Sequence, residues 1–212
     1  MSIFQAATRT KTMGQQCFTS VLSLFLNRGC SLCDRPALHA FCVDCNRRLQ
    51  DSYLLPATWE VTNGTDWPIS SLGQYEGSLK QALRALKYDH RPVIATTFVL
   101  TFGLQWPALF NQLQASSLAA TARSSPYVIP IPLHTNRYQQ RGYNQAELIA
   151  KAFCQASGLP LLSKGLVRTE DTLPQHQLGL VSRQKNLANA FAIGHSLPRL
   201  RKTSGVLLID DI

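Results

Sequence analysis

Four of the six cysteines fall within sixteen residues, as two C-x-x-C pairs: Cys30-Ser-Leu-Cys33 and Cys42-Val-Asp-Cys45. Each such turn can aim two sulfurs at one point. Four thiolates make a closed tetrahedral shell for zinc, with sulfur at about 2.3 Å from the ion. The stretch 29–50 is too short to build a core alone, and metal binding of order 10–16 kcal/mol would supply its folding free energy. No coordination position is left open, so the zinc reading is structural. Arg28, Arg35, Arg47 and Arg48 lie close in sequence and can offset the negative charge of the shell. The competing reading is two redox or unpaired C-x-x-C pairs, with His39 between them as an alternative fourth ligand. Cys17 and Cys154 read as ordinary packed or partly exposed thiols. Clustered cysteines do not resemble the spread of a secreted disulfide scaffold, which points to a reducing compartment and a cytoplasmic protein.

The full chain has 212 residues, enough for one medium domain with a small appendage. Hydrophobic residues make up 45% and charged residues 16%, which excludes a disordered chain or a coiled coil. The net charge is +9. That excess suits either a well-solvated surface or a polyanionic partner, nucleic acid or a phosphorylated substrate. The longest apolar stretch, Val93 to Trp106, is broken by Thr96, Thr97, Thr101 and Gln105 and falls short of the roughly 20 residues a bilayer needs, so no membrane span is expected. The run Phe18 to Leu26 has the texture of a signal peptide, but Asn27-Arg28 follows it with no small-residue cleavage site.

Along the chain, residues 1–28 form an N-terminal extension ending in a short amphipathic helix over 18–28. Residues 29–50 are the knuckle. Pro56, Asn63-Gly64 and Pro68 mark a linker. A helical segment spans 71–125. Its first helix runs from about Ser78 to Tyr88, with Leu79, Ala82, Leu83 and Leu86 on one face, and its second from Val93 to Phe102. Residues 111–126 are small and polar and read as a connection. The last domain, 126–212, reads strand (Tyr127–Ile131), basic loop (His134–Tyr143), helix, weaker strand (160–167), long loop (169–185) and strand (Gly205–Ile209). Pro130 and Pro132 should end the first of these strands. Asn144 and Glu147 have capping-box spacing, and Gly158 and Pro160 close the helix. This order predicts α/β, with a parallel sheet.

Asp210-Asp211 directly follows the last strand, where α/β sheets bind ligands. Two carboxylates there can accept hydrogen bonds from neighbouring ribose hydroxyls or hold a Mg²⁺-linked ligand through water. A solvated strand end is the plainer alternative. Between Tyr127 and Gly205 there are ten Lys+Arg against three acids, with His134, Arg137 and Arg141 in one loop and Arg183 and Lys185 in another. An acidic pair facing arginine-bearing loops suits a sugar that carries phosphate or pyrophosphate.

The chain resembles the ComF family of competence proteins, including GntX-type members. The matching residues are the cysteine layout, Tyr75-Glu76-Gly77, Leu86-Lys87-Tyr88 and Ile129-Pro130-Ile131-Pro132-Leu133-His134. Further matches are Arg137, Arg141-Gly142-Tyr143-Asn144-Gln145-Ala146, Arg168, Gln175, Gln177, Arg183, Asn186, Phe191 and Val206 to Asp211. The resemblance implies a zinc knuckle followed by a type I phosphoribosyltransferase-like α/β domain that binds phosphoribosyl pyrophosphate (PRPP) with Mg²⁺. Asp210 and Asp211 would hold the ribose hydroxyls. Leu133, His134 and Thr135 would form the pyrophosphate loop, with Arg137 and Arg141 beside it. The stretch from Thr172 to Arg183 would be a mobile cover bringing Arg183 to the site. The family continues into a Thr/Gly-rich phosphate cradle after the acidic pair. This sequence stops at Ile212, which reads as a truncated chain that binds PRPP poorly. The resemblance also implies a role in DNA uptake. A non-catalytic module handling single-stranded DNA beside a competence helicase is the alternative, since such folds also host sensors.

Overall fold

The computed structural model describes residues 29–61, 67–115, 125–170, 189–196 and 205–211. The expected helix over 18–28, Cys17, and most of the long loop with Gln175, Gln177 and Arg183 lie outside these residues.

The cysteine turn leads into α1 (Val43–Gln50), which buries Cys45 and Leu49. Residues 51–70 are more than a linker. β1 (Glu60–Val61) pairs antiparallel with β2 (Pro68–Ile69). The Trp59 indole N–H donates to the carbonyl of Leu109 at 2.8 Å. α2 (Gly77–Tyr88) buries Leu79, Ala82, Leu83, Ala85 and Leu86, the expected face plus one alanine. α3 (Ile94–Leu104) follows, and then α4 (Trp106–Ala115). Sequence reading places a connection where the last turn and a half of α4 lies. The helix is fixed by burial of Trp106 and Leu109, and its C-terminal half turns polar because it faces solvent.

β3 (Tyr127–Pro130) is the centre of the α/β unit. Pro130, which lacks an N–H, ends the strand as expected. The stretch expected as a basic loop instead contains α5 (Thr135–Arg141), closed by Gly142 in the left-handed region at φ 81°. It buries no residue, so no apolar period marks it in the sequence. α6 (Gln145–Ser157) is capped by Asn144 and ends on Gly158 at φ 75°. The capping box is half formed. Asn144 Oδ1 accepts from the Ala146 N–H at 3.1 Å, while Glu147 pairs with Lys151 at 2.9 Å. β4 (Leu166–Arg168), at the end of the expected 160–167 strand, pairs antiparallel with β5 (Phe191–Ile193), which the sequence pattern does not reveal. β6 (Val206–Ile209) lies parallel to β3, with Tyr127 opposite Val206 and Pro130 opposite Ile209. On the other side of β3, Val128 bridges Leu161 in parallel. β3, α6 and the 160–162 segment therefore form a β-α-β unit, and the fold is α/β with helices packed on a parallel pair.

One core joins the parts. Cys30, Cys45 and Leu49 of the knuckle share it with Leu79 and Leu86 of α2, Phe98 of α3, and Val128, Phe153 and Ile209. Helices α3 and α6 approach closely. A Cβ on Gly103 would stand 2.5 Å from the Cβ of Ala156 and 3.3 Å from the Phe153 carbonyl oxygen. Phe153 also meets Trp106 edge-to-face, with ring centroids 6.0 Å apart. Gly103→Val must push the helices apart. We expect a loss of about 2 kcal/mol and a fall in Tm of about 4–8 °C by thermal unfolding. An unchanged Tm would show that the two helices are not close-packed there.

Candidate functional site

Two sites emerge, and α2 runs between them. The first is the cysteine cluster. The 29–36 turn is closed by backbone bonds: Cys30 N–H to Arg35 O at 2.7 Å, Asp34 N–H to Cys30 O at 2.9 Å, and Ser31 N–H to Ala40 O at 2.8 Å. Asp34 takes φ 54° to make the turn. Cys42 is the N-cap of α1 and Cys45 lies in its first turn, where the helix dipole favours thiolate. The four sulfurs lie within 4.8 Å of one another, and Cys33 Sγ is 3.7 Å from Cys42 Sγ. A tetrahedron with about 2.3 Å metal–sulfur bonds has edges of about 3.8 Å. The set therefore fits a metal ion such as zinc, and His39 is not part of it.

Arginines support this shell, as their sequence positions suggest. Arg35 donates to Cys33 Sγ at 3.3 Å and to Cys42 Sγ at 3.5 Å, and it pairs with Asp44 at 2.9 Å. Arg48 donates to Cys45 Sγ at 3.2 Å. The Arg35 bond is the main reason the Cys33 thiol is lowered, to about 6. Burial pushes Cys45 up to about 12, against the pull of Arg48. Metal coordination is what deprotonates such a buried thiol.

The second site is the rim where β3 and β6 end together. Ile131 N–H donates to Ile209 O at 2.9 Å, so Pro132, Leu133 and His134 leave the sheet beside Asp210 and Asp211. His134 is the N-cap of α5, its Nδ1 accepting from the Asn136 N–H at 3.4 Å. Thr135 and Arg137 lie on α5. Arg141 sits over the Tyr88 ring, 5.8 Å from its centroid, and donates to Gln145 Oε1. Asn144 Nδ2 donates to Ile131 O at 2.9 Å, and the Tyr143 hydroxyl donates to Leu86 O. The Arg-Gly-Tyr-Asn block therefore ties α5 and α6 to both the strand end and α2. Leu133, His134, Thr135, Asp210 and Asp211 share the rim. Arg141 reaches α2 beside it, and Arg183 lies outside the described residues.

Sequence reading assigns no role to Lys87. Its ammonium pairs with Asp211 Oδ2 at 2.9 Å, and the two side chains are only 15% and 6% exposed. The signal in the sequence is slight: Lys87 is one of three cations on α2, with Lys80 and Arg84, and directly follows Leu86 of the apolar face. Asp210 differs sharply from its neighbour. Its side chain is exposed, yet crowding by protein atoms and then the Asp211 charge raise its carboxyl to about 7. Asp211 N–H donates to Asp210 Oδ1 at 2.8 Å.

Two outcomes follow from this geometry. Cys45→Ser should cut bound zinc from about one ion per chain to almost none, while Arg35→Ala keeps the ion but weakens it about tenfold in chelator competition. Full zinc retention by Cys45→Ser would exclude the four-thiolate shell. A raised carboxyl means that the folded state holds a proton the unfolded chain releases, so stability falls as pH rises from about 4 towards 7. Asp210→Asn should leave the unfolding midpoint unchanged near pH 4 and raise it at pH 8. Equal shifts at both pH values would contradict this.

No protein-family profile matches the chain, and no solved structure matches it. Three similar proteins stand out. The DNA utilization protein YhgH of Salmonella typhimurium is 24% identical over 183 residues, covering 86% of this chain and 70% of that protein. Competence protein F of Haemophilus influenzae is 35% identical over 88 residues, 40% of this chain and 37% of that protein. Competence protein ComFC of Bacillus subtilis is 29% identical over 137 residues, 63% of this chain and 48% of that protein. Together with the cysteine layout and the Arg-Gly-Tyr-Asn block, these similarities support the resemblance to the ComF family of competence proteins.

Proposed function

We propose that the chain serves DNA uptake in natural competence and that its rim binds PRPP, or a related sugar phosphate, as a Mg²⁺ complex. The observation that carries this reading is the parallel register of β3 and β6, which ends both strands at one level. In this reading the acidic acceptors Asp210-Asp211 follow β6 at the edge where the 132–134 loop leaves β3, and that loop leads into α5 with Arg137 and Arg141. The charge supports it too, since acids are scarce between Tyr127 and Gly205. In this reading the domain over 126–212 is phosphoribosyltransferase-like, and 71–125 is a helical hood. The thiolate knuckle holds a structural zinc, and free thiols of this kind belong in a reducing cytoplasm.

The chemistry proposed for such a rim is departure of pyrophosphate from an oxocarbenium-like sugar carbon. Mg²⁺ would neutralise charge on the leaving group when bound. Asp210 orients the ribose, and Arg137 and Arg141 attract the pyrophosphate and stabilise its developing charge.

The second reading is a non-catalytic module that handles single-stranded DNA beside a helicase. The net charge of +9 and the names of the relatives, one for DNA utilization and two for competence, favour it. Calorimetric titration of the chain with PRPP·Mg²⁺ tests the first reading. We expect saturable binding that is lost in Asp210→Asn. Silence from the unsubstituted chain would sink it. Titration with oligo-dT at two salt concentrations tests the second, with affinity falling by a slope of about −0.7 per phosphate neutralised. Binding that ignores salt would rule out a cationic surface.

A further inference from the structure

We propose that the two aspartates do different work: Asp210 meets the ligand, while Asp211 and Lys87 form a buried clamp that positions it. The inference rests on the sugar-phosphate reading of the rim and goes beyond it, because that reading treats the acidic pair as two equivalent hydroxyl acceptors.

Three observations separate the pair. Asp211 turns inward: its side chain is 6% exposed, and its Oδ2 lies 2.9 Å from the Lys87 ammonium. Asp210 faces out, exposed at the end of β6. The backbone N–H of Asp211 donates to Asp210 Oδ1 at 2.8 Å. The contacts thus form a relay. Lys87 pairs with the Asp211 side chain by charge, without hydrogen-bond geometry at Oδ2, and the Asp211 N–H orients the Asp210 carboxylate at the end of β6.

The clamp's far end is also built in. Lys87 sits in the last turn of α2, where a cation is favoured by the helix dipole. The helix is held in place there by the Tyr143 hydroxyl on Leu86 O and by Arg141 against Tyr88. A buried pair of opposite charges adds little net stability compared with apolar side chains of similar size. What it supplies is a fixed distance between α2 and the end of β6. Removing one partner leaves a buried charge, whereas removing both leaves an apolar contact.

The test compares four variants of the full chain by thermal unfolding and by PRPP·Mg²⁺ titration. Asp210→Asn should unfold no earlier than the natural chain at pH 8, yet bind at least about tenfold more weakly. Lys87→Met should unfold earlier and bind more weakly. Lys87→Arg should restore much of both, since charge and reach are kept. The double variant Lys87→Met with Asp211→Leu should recover the unfolding midpoint and bind within about fivefold of the natural chain. If the double variant is stable but binds as poorly as Asp210→Asn, Asp211 touches the ligand and the division of labour is wrong. If Lys87→Met unfolds like the natural chain, the clamp does not exist. Should the unsubstituted chain fail to bind PRPP·Mg²⁺, the sugar-phosphate reading and Asp210's ligand role fail together. The unfolding data from the same variants still decide whether the clamp exists.

Discussion

The parallel pairing of β3 with β6 is the constraint on which the rest depends. The two strands are far apart in sequence, yet their register puts Pro130 opposite Ile209. One-residue slippage would turn the buried Val128 and Ile209 to the wrong faces, so burial fixes the register strongly. Because parallel strands end at the same edge, the segments that follow them must meet. The meeting of Pro132 to His134 with Asp210-Asp211 is therefore a consequence of sheet geometry rather than of any attraction between those residues.

Helix α2 links that edge to the cysteine knuckle. Its buried face shares a core with Cys30, Cys45 and Leu49. Beyond its C-terminus, Arg91 pairs with Asp34 of the cysteine turn at 3.1 Å, and Lys87 pairs with Asp211 at the rim. The first pair is exposed and worth little energetically. The second is enclosed and acts as a spacer. The knuckle is thus packed on the same helix that braces the rim, although the two sites are built from different chemistry.

The legible parts of the sequence share a physical property: their signal is local. Leu79, Ala82, Leu83 and Leu86 recur at helical spacing, so α2 is readable to within a residue. Asn144 and Gly158 punctuate α6 in the same way. The cysteine pairs carry their geometry in their spacing, and the four sulfurs do converge. The less legible parts lack such a signal. α5 buries nothing and is defined by its ends, His134 and Gly142. β4 and β5 are three residues each and find one another across the chain. α4 owes its place to Trp106 and Leu109 under the Trp59 indole, fifty residues before Leu109.

The candidate sites divide along the same line. The sequence by itself determined the thiolate shell, the α/β class and the presence of an acidic pair at a strand end, because spacing, periodicity and strand order are properties of neighbouring residues. Only the tertiary structure decided that Asp211 turns inward to Lys87 and that Asp210 stays at the surface. It also decided that Tyr143, Asn144 and Arg141 fasten two helices and a strand end together. Those facts depend on contacts between residues as much as 124 positions apart, as Lys87 and Asp211 are. Such contacts arise when a buried charge or donor must find its partner in the folded core, and no local pattern encodes which partner that will be.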